Sequence, residues 1–561
     1  MTSSTSLVLR GVGVSPGRRA GVVARMPDPL PAPSTEPLPP GTDLAAAADR
    51  IDAAAAAVHD ALLVAASTAR GEGAEVLAVT AEMAADPTLV DEARRRVVEH
   101  ASTPQRAVWD AAAVVVEQLV ALGGLFAERA RDVDDVRDRV VATLTDAPLP
   151  GVPDPGEPFV LVARDLAPAD TARLDPDHVL ALVTEGGGPT SHTAILARAL
   201  GIPAVVAVAG AGSLRDGDLV LVDGALGSVT PDPDEEAVAR AGRAMRRPSK
   251  LGAPGATADG MPVALLANVA DTTGAAAAAE AGAEGVGLLR TEFRFLGRTV
   301  APGIDEQVDA YRQVLAAFPG RKVVVRTLDA GADKPLPFVT ALDEPNPALG
   351  VRGLRTAWDH PQVLDDQLAA IAAAARAEDA DVWVMAPMVA TSAEARDFVE
   401  RCTSHGLLQA GVMVEVPSAA LRSRDLLAHA RFASIGTNDL TQYAMAADRE
   451  LARLAQLSTS WQPAVLDLVA ATCAGGALRD RPVGVCGEAA ADPALAPVLV
   501  GLGVSSLSMT PRALPDVAAV LATVTTQRCR ELAQVALAAD GAEAAREAVR
   551  AMLPVLEDLG L

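Results

Sequence analysis

Eight short β-type runs alternate with helical stretches in the C-terminal part of the chain, at 263–267, 285–289, 322–325, 382–385, 411–414, 432–435, 482–485 and 506–508. Sustained alternation of this kind implies parallel strands joined by crossover helices. Eight units match the strand number of a closed (β/α)8 barrel of the TIM type, expected over residues 261–561. An open doubly wound sheet is the other fold that such alternation allows. In either case the chemistry is expected where strands end and the next loops begin.

The second run leads into Arg290 and Glu292, the third into Arg326 and Asp329, and the fifth into Glu415. The sixth is followed by Asn438 and Asp439, the seventh by Cys486 and Glu488. One charged group at a strand end is commonly just solvated. Five of eight ends with interleaved arginines, carboxylates, an amide and a thiol exceed what a structural barrel needs. Arginines offer planar, bidentate donors to phosphate and carboxylate oxygens. A Glu and an Asp on neighbouring strands suit a hard cation such as Mg²⁺, which uses one or two protein carboxylates plus substrate oxygens and water. Cys486 reads two ways, as a proton donor or nucleophile beside arginines or as inert packing. The set points to a small, phosphorylated, carboxylate-bearing substrate handled with Mg²⁺.

Upstream, seven prolines within 27–40 mark an extended connector. Residues 43–148 carry Ala-rich helical spacing at 51–69, 76–84, 89–98, 107–122 and 133–144, with no clear strand, and read as a helical bundle. Nineteen acidic and ten basic residues give this segment a net charge of −9, which is either a docking face for a basic partner or an ordinary solvated surface. Runs at 158–163, 179–183, 204–208 and 219–222 then indicate a small α/β domain, with 7–14 as an additional strand, so that 1–26 and 149–230 form one unit. Residues 231–260 read as a linker. Within the small domain, three glycines at 186–188 precede Thr190, Ser191 and His192. Glycines allow close backbone approach to an anion, Thr190 and Ser191 can cap the helix that follows, and helix-start amides favour negative charge. His192 is thus a candidate phosphate carrier; the alternatives are a plain capping-loop histidine or a metal ligand.

Charge and composition narrow the class. The 561 residues include 72 acidic and 48 basic side chains, a net charge of −24, and only 2% aromatics. Nucleic-acid binding by a positive face or by aromatic stacking is therefore not expected. Four scattered cysteines form neither a disulfide framework nor a zinc cluster. The start lacks a basic n-region, and no run of eighteen apolar residues is free of charge, so a cytoplasmic protein without membrane insertion is expected.

The motifs themselves resemble Enzyme I of the bacterial phosphoenolpyruvate-dependent sugar phosphotransferase system, over nearly the whole length. G-G-P-T-S-H-T-A-I-L-A-R around His192 is similar to the family's phosphohistidine signature. G-V-G-L-L-R-T-E-F (285–293), V-R-T-L-D-A-G-A-D-K (325–334), N-P-A-L-G-V-R (346–352), V-M-V-E-V-P (412–417), S-I-G-T-N-D-L-T-Q-Y (434–443) and V-C-G-E (485–488) are similar to its barrel motifs, in order. The resemblance implies that His192 is phosphorylated by phosphoenolpyruvate. It implies that Arg290, Arg326 and Arg449 grip phosphate and carboxylate, that Asn438 and Asp439 contact substrate, and that Glu415 and Asp439 ligate Mg²⁺. Cys486 is implied to protonate the enolate carbon. The barrel is implied to form a homodimer, 43–148 to dock the phosphocarrier HPr, and the phosphohistidine domain to swivel about the linker. Departures from the family pattern are Ala332 in place of a glycine, Pro189 at a variable position, and Thr80 where many relatives have a histidine near the carrier-docking face.

Three other readings were open. A pyruvate-phosphate dikinase or phosphoenolpyruvate synthase shares the histidine loop and barrel but needs an ATP-binding domain, for which 43–148 is too short. A regulatory paralogue adds a sensory domain, for which there is no room. A non-catalytic HPr-binding scaffold has no need of Arg290, Arg326, Glu415, Asp439, Cys486 and His192 together.

Overall fold

The structure is a computed structural model that describes residues 8–27, 30–68, 72–122, 124–147, 151–153, 155–164, 166, 174–188, 192–243, 250–296, 298–331, 336–340, 344–449, 451 and 454–561. Two compact units are present, Met1–Val238 and Ala239–Leu561.

The first unit is built on a mixed sheet of eight strands: β1 (Leu9–Arg10), β2 (Val12–Ser15), β3 (Arg18–Arg25), β4 (Phe159–Ala163), β5 (Val179–Thr184), β6 (Ala204–Val206), β7 (Leu219–Asp223) and β8 (Ser228–Pro231). Their order is β1-β8-β7-β3-β4-β5-β6-β2. Neighbours from β3 to β6 run parallel, and the flanking pairs are antiparallel. One face buries Leu161, Leu182 and Val206 with Ala194 and Ala197 of the helix His192–Leu200. The other face buries Val160, Ala181 and Val222.

Strand β3 departs from the sequence reading, which sees a strand only at 7–14 in this region. Arg18, Arg19 and Arg25 break its apolar pattern, and the partners of Arg18 and Arg25 lie far along the chain. Arg18 pairs with Asp223, and Arg25 Nη1 donates to the Leu214 carbonyl at 2.8 Å. Nothing local announces such a strand.

The parallel partners β3 and β4 are joined through five helices: α1 (Leu44–Thr68), α2 (Glu72–Ala84), α3 (Pro87–His100), α4 (Pro104–Leu122) and α5 (Gly124–Thr145). Their apolar stripes meet in one core that includes Ile51, Leu77, Val97, Val108 and Val136. Start signals are local. Asp43 Oδ1 accepts from the amides of Ala45 and Ala46 at 3.0 and 3.1 Å, and Asp86 Oδ1 from Thr88 N at 2.7 Å ahead of Pro87. Thr80 is only 1% exposed, so this side chain packs within the bundle and is not part of an exposed docking face.

The second unit closes the expected barrel. Strands β9 (Ala264–Val269), β10 (Gly285–Leu289), β11 (Lys322–Arg326), β12 (Asp381–Ala386), β13 (Ala410–Val414), β14 (Ala433–Gly436), β15 (Val483–Cys486) and β16 (Ser506–Met509) pair parallel in sequence, and β16 returns to β9. Both faces of each strand are covered, which is why the runs are almost continuously apolar. Outside the strands, Phe318, Leu368, Phe398 and Val465 pack the helical ring against them. Inside, Leu288, Val324, Met385, Met413 and Phe432 fill the lumen.

Phe318 is fully buried in the outer core. Phe318→Ala is expected to destabilise this unit by about 3–5 kcal/mol through lost transfer energy and the cavity left behind, read as an earlier denaturant midpoint with unchanged slope.

Candidate active site

The C-terminal ends of the barrel strands converge on a cluster of charges that are mostly out of solvent. Arg326, Asp329, Arg352, Glu292, Glu415 and Asp439 are all under a tenth exposed. Charges so buried persist only when paired and hydrogen-bonded. Arg326 Nη2 donates to Glu292 Oε1 at 2.6 Å, and its Nη1 lies 3.0 Å from Asp329 Oδ2. Arg352 Nη2 lies 3.6 Å from Asp329 Oδ1, and its Nη1 donates to Asp439 Oδ1 at 3.1 Å and to the Tyr443 hydroxyl at 3.4 Å. Arg449 Nη1 reaches Asp439 Oδ2 at 3.5 Å. A continuous chain thus runs from Glu292 through Arg326, Asp329 and Arg352 to Asp439 and Arg449.

The backbone around these groups is held by buried amides and hydroxyls. Gln367, on the helix Pro361–Ala377, accepts from Leu328 N at 2.8 Å and donates to Thr291 Oγ1 at 3.0 Å. Thr291 Oγ1 in turn donates to the Arg326 carbonyl at 2.9 Å. Arg326 and the loop behind it are therefore fixed from below by a neutral network. Burial alone would lower the Arg326 pKa, but Glu292, Asp329 and Glu415 outweigh it and raise the pKa above the ordinary arginine value.

Glu415 follows β13 and is 1% exposed; its Oε2 accepts from Met388 N at 2.8 Å. Burial, then the nearby Asp439 and Asp329 carboxylates, push its pKa well up, against the pull of Arg326 and the Met388 amide. A Cβ on Gly436 would stand 2.6 Å from Glu415 Oε1, so glycine is needed there to leave the carboxylate its space. Asp439 sits in the first turn of the helix Thr437–Met445, whose free amides favour a negative group. Asn438, one residue earlier, is half-buried, and Arg290 remains exposed to solvent just past β10.

Cys486 ends β15 opposite Gly436 in the ladder and is 2% exposed. Its Sγ accepts from Ser434 Oγ at 3.2 Å and donates to the Ile435 carbonyl at 3.6 Å. Burial pushes the thiol up to about 11, while Ser434, Arg326 and Arg290 act in the opposite direction. The group is a protonated thiol at neutral pH.

The barrel mouth therefore brings Arg326, Asp439, Arg449 and Glu415 into one network, with Cys486 and Arg290 in its electrostatic reach. His192 belongs to the other unit, where it begins the helix His192–Leu200. Its side chain, Pro189, Thr190, Ser191 and Ala332 lie outside the described residues. The sequence reading did not single out Arg352, Tyr443 and Gln367. Arg352 stands in a long loop after β11, beyond any strand end, although the N-P-A-L-G-V-R segment that contains it was a visible motif.

Both Asp329 and Asp439 use Arg352. Arg352→Met is expected to destabilise the barrel by about 3–5 kcal/mol at pH 8. Urea unfolding of variant and parent measures it.

Known proteins resemble this chain over nearly its whole length. Three family models match in order: PEP-utilising enzyme, N-terminal, over residues 10–129; PEP-utilising enzyme, mobile domain, over 155–227; and PEP-utilising enzyme, PEP-binding domain, over 247–526. A phosphoenolpyruvate-protein phosphotransferase of Streptomyces coelicolor is 52% identical over 97% of this chain and 99% of its own length. One from Haloferax volcanii is 40% identical over 96% and 98%. A multiphosphoryl transfer protein of Xanthomonas campestris is 38% identical over 96% of this chain and 66% of its own length. With full-length identity of this order and all three family regions in sequence, the chain belongs to the Enzyme I family of phosphoenolpyruvate-protein phosphotransferases.

Proposed function

We propose that this enzyme moves the phosphoryl group of phosphoenolpyruvate to His192 and on to the phosphocarrier HPr, releasing pyruvate, as the entry step of phosphotransferase-system sugar uptake. The observation that carries the reading is the barrel-mouth network, where arginines and carboxylates alternate around a protonated thiol. Phosphoryl transfer asks a protein mainly for positioning and charge stabilisation. Arg290, Arg326 and Arg449 bind the phosphate and carboxylate oxygens, and Asn438 and Asp439 orient the substrate. The neutral imidazole of His192 attacks phosphorus in line as the enolate departs. Cys486, protonated and buried, then gives its proton to the enolate carbon to form pyruvate.

The family uses a divalent metal, and Mg²⁺ is the ion proposed here. The residues fit it: Glu415 and Asp439 offer hard oxygens, and the pKa of Glu415 is raised partly by an adjacent carboxylate whose charge a cation would neutralise. Among the described residues no group of three or more His, Cys, Asp or Glu forms a preformed cage, in keeping with an ion that takes its other ligands from substrate and water. Bound there, Mg²⁺ would stabilise the negative charge that develops on the enolate oxygen.

The remaining assignments belong to the same proposal. The acidic bundle of 43–148 docks HPr, and the barrel domain of 261–561 pairs two copies, to which Trp358 and Leu349, both more than 60% exposed, offer apolar surface. Residues 1–26 with 149–230 carry the phosphohistidine, and 231–260 act as hinge. Among the described residues no helix is long and apolar enough to cross a membrane, and the protein is assigned to the cytoplasm.

Labelled phosphoenolpyruvate with Mg²⁺ should phosphorylate the protein alone, and His192→Ala should abolish the label. Label that persists in that variant overturns the histidine assignment, and label taken from ATP would favour the dikinase reading. A second expectation concerns pH. Burial and the neighbouring Asp439 and Asp329 carboxylates push the Glu415 pKa up, so a cation that binds there must displace a proton from it. Mg²⁺ affinity should therefore rise from pH 6.5 to 8.5, with proton release measurable by calorimetry in buffers of different ionisation enthalpy.

A further inference from the structure

At the opposite end of the barrel from the charged mouth, the strand starts surround a small cavity lined by Lys322, Trp383, Pro482, Ser434, Ser506 and Ser508. It leaves about 30 Å³ for water, enough for about two molecules. Exposed Pro482 and half-buried Lys322 and Ser506 at its rim open it to solvent. Small residues keep it free; a Cβ on Gly287 would stand 2.4 Å from Ser508 Oγ. Leu266, Val324 and Phe432 share the wall with three serines, Ser434, Ser506 and Ser508, whose polar groups offer partners to water. One of them, Ser434, is also the residue whose hydroxyl bonds Cys486 Sγ at 3.2 Å. The same side chain thus faces the water-sized space below and the thiol above.

We propose that Ser434 is a positioning residue that connects Cys486 to solvent through the base of the barrel. The proposal rests on Cys486 being the proton donor. Once the Cys486 S–H bond breaks and the proton joins the enolate carbon, a thiolate remains. It takes the Ser434 hydroxyl proton, Ser434 takes one from a cavity water, and that water is made whole from bulk solvent. One solvent proton is consumed per pyruvate formed, and no oxidant or other reactant is required. The route leaves the mouth free to stay closed around substrate, where entering water would weaken the electrostatics. In the reverse direction, a proton taken from the pyruvate methyl group leaves by the same path.

The test uses the full-length enzyme with Mg²⁺, phosphoenolpyruvate and pyruvate in D₂O. Two rates are compared: exchange of labelled pyruvate with phosphoenolpyruvate, and appearance of deuterium in the pyruvate methyl group. In the parent, deuterium should enter at a rate comparable to exchange. In Ser434→Ala the thiol is cut off from solvent and returns the substrate's own proton. Deuterium per exchange event should fall by about tenfold, a ratio in which any change of the exchange rate itself cancels. Ser434→Thr, which keeps the hydroxyl, should restore the parent ratio. An unchanged ratio in Ser434→Ala overturns the relay, since the thiol then meets solvent from the mouth. A variant that loses both rates together, with the ratio unchanged, overturns it as well. Cys486→Ala separates the two layers: if it retains deuterium entry and exchange, the proton-donor assignment itself fails. If it loses them while Ser434→Ala behaves as the parent, only the relay fails.

Discussion

Buried charge is the constraint around which this barrel is organised. Glu292, Asp329, Glu415 and Asp439 lie with Arg326 and Arg352 where little water reaches them, and each ion removed from solvent costs several kcal/mol before any partner is counted. The cluster holds because carboxylate and guanidinium alternate along one chain of contacts, and because Gln367 and Thr291 pin the backbone that carries Arg326. Arg326 and Arg352 are thereby already desolvated and oriented by their carboxylate partners, so the field at the strand ends is set in advance.

The same arrangement explains why a chain of net charge −24 can take a small anion. Long-range charge is screened within about 8–10 Å at ordinary salt, whereas the local field at the mouth is set by groups a few ångströms away. Overall composition was silent on a site this local. Cys486 shows the opposite balance: its surroundings are apolar on the lumen side, with Met385, Met413 and Phe432, and that is what keeps the thiol protonated.

The barrel was legible because strands buried on both faces spell continuous apolar runs, and glycine, arginine or acidic residues punctuate their ends; even the single-residue offsets, such as 432–435 against Ala433–Gly436, keep the face pattern. The helical insert was legible from its stripes. Strand β3 was not, because Arg18 and Arg25 find partners near residues 223 and 214, outside any local window. Arg352 and Gln367 escaped for a related reason. One lies in a loop and the other in the middle of a helix, positions where a polar side chain usually faces water, and only the tertiary fold turns them inward. Thr80 illustrates the reverse case, a residue expected near a surface that the packing of α2 hides.

The placement of the helical insert has a consequence for synthesis. Val22 of β3 pairs with Phe159 of β4, so the centre of the first sheet joins segments separated by the entire bundle. Non-local pairing of this kind is slow, because the ends of a long loop must meet before any contact rewards them. The bundle's contacts, by contrast, are complete once residue 145 has emerged. On a ribosome the five helices can form first and shorten the distance between the two halves of the sheet, turning a costly closure into a docking of preformed ends. A segment whose sequence reads as a partner-binding accessory would then also act as the internal scaffold on which the phosphohistidine domain assembles.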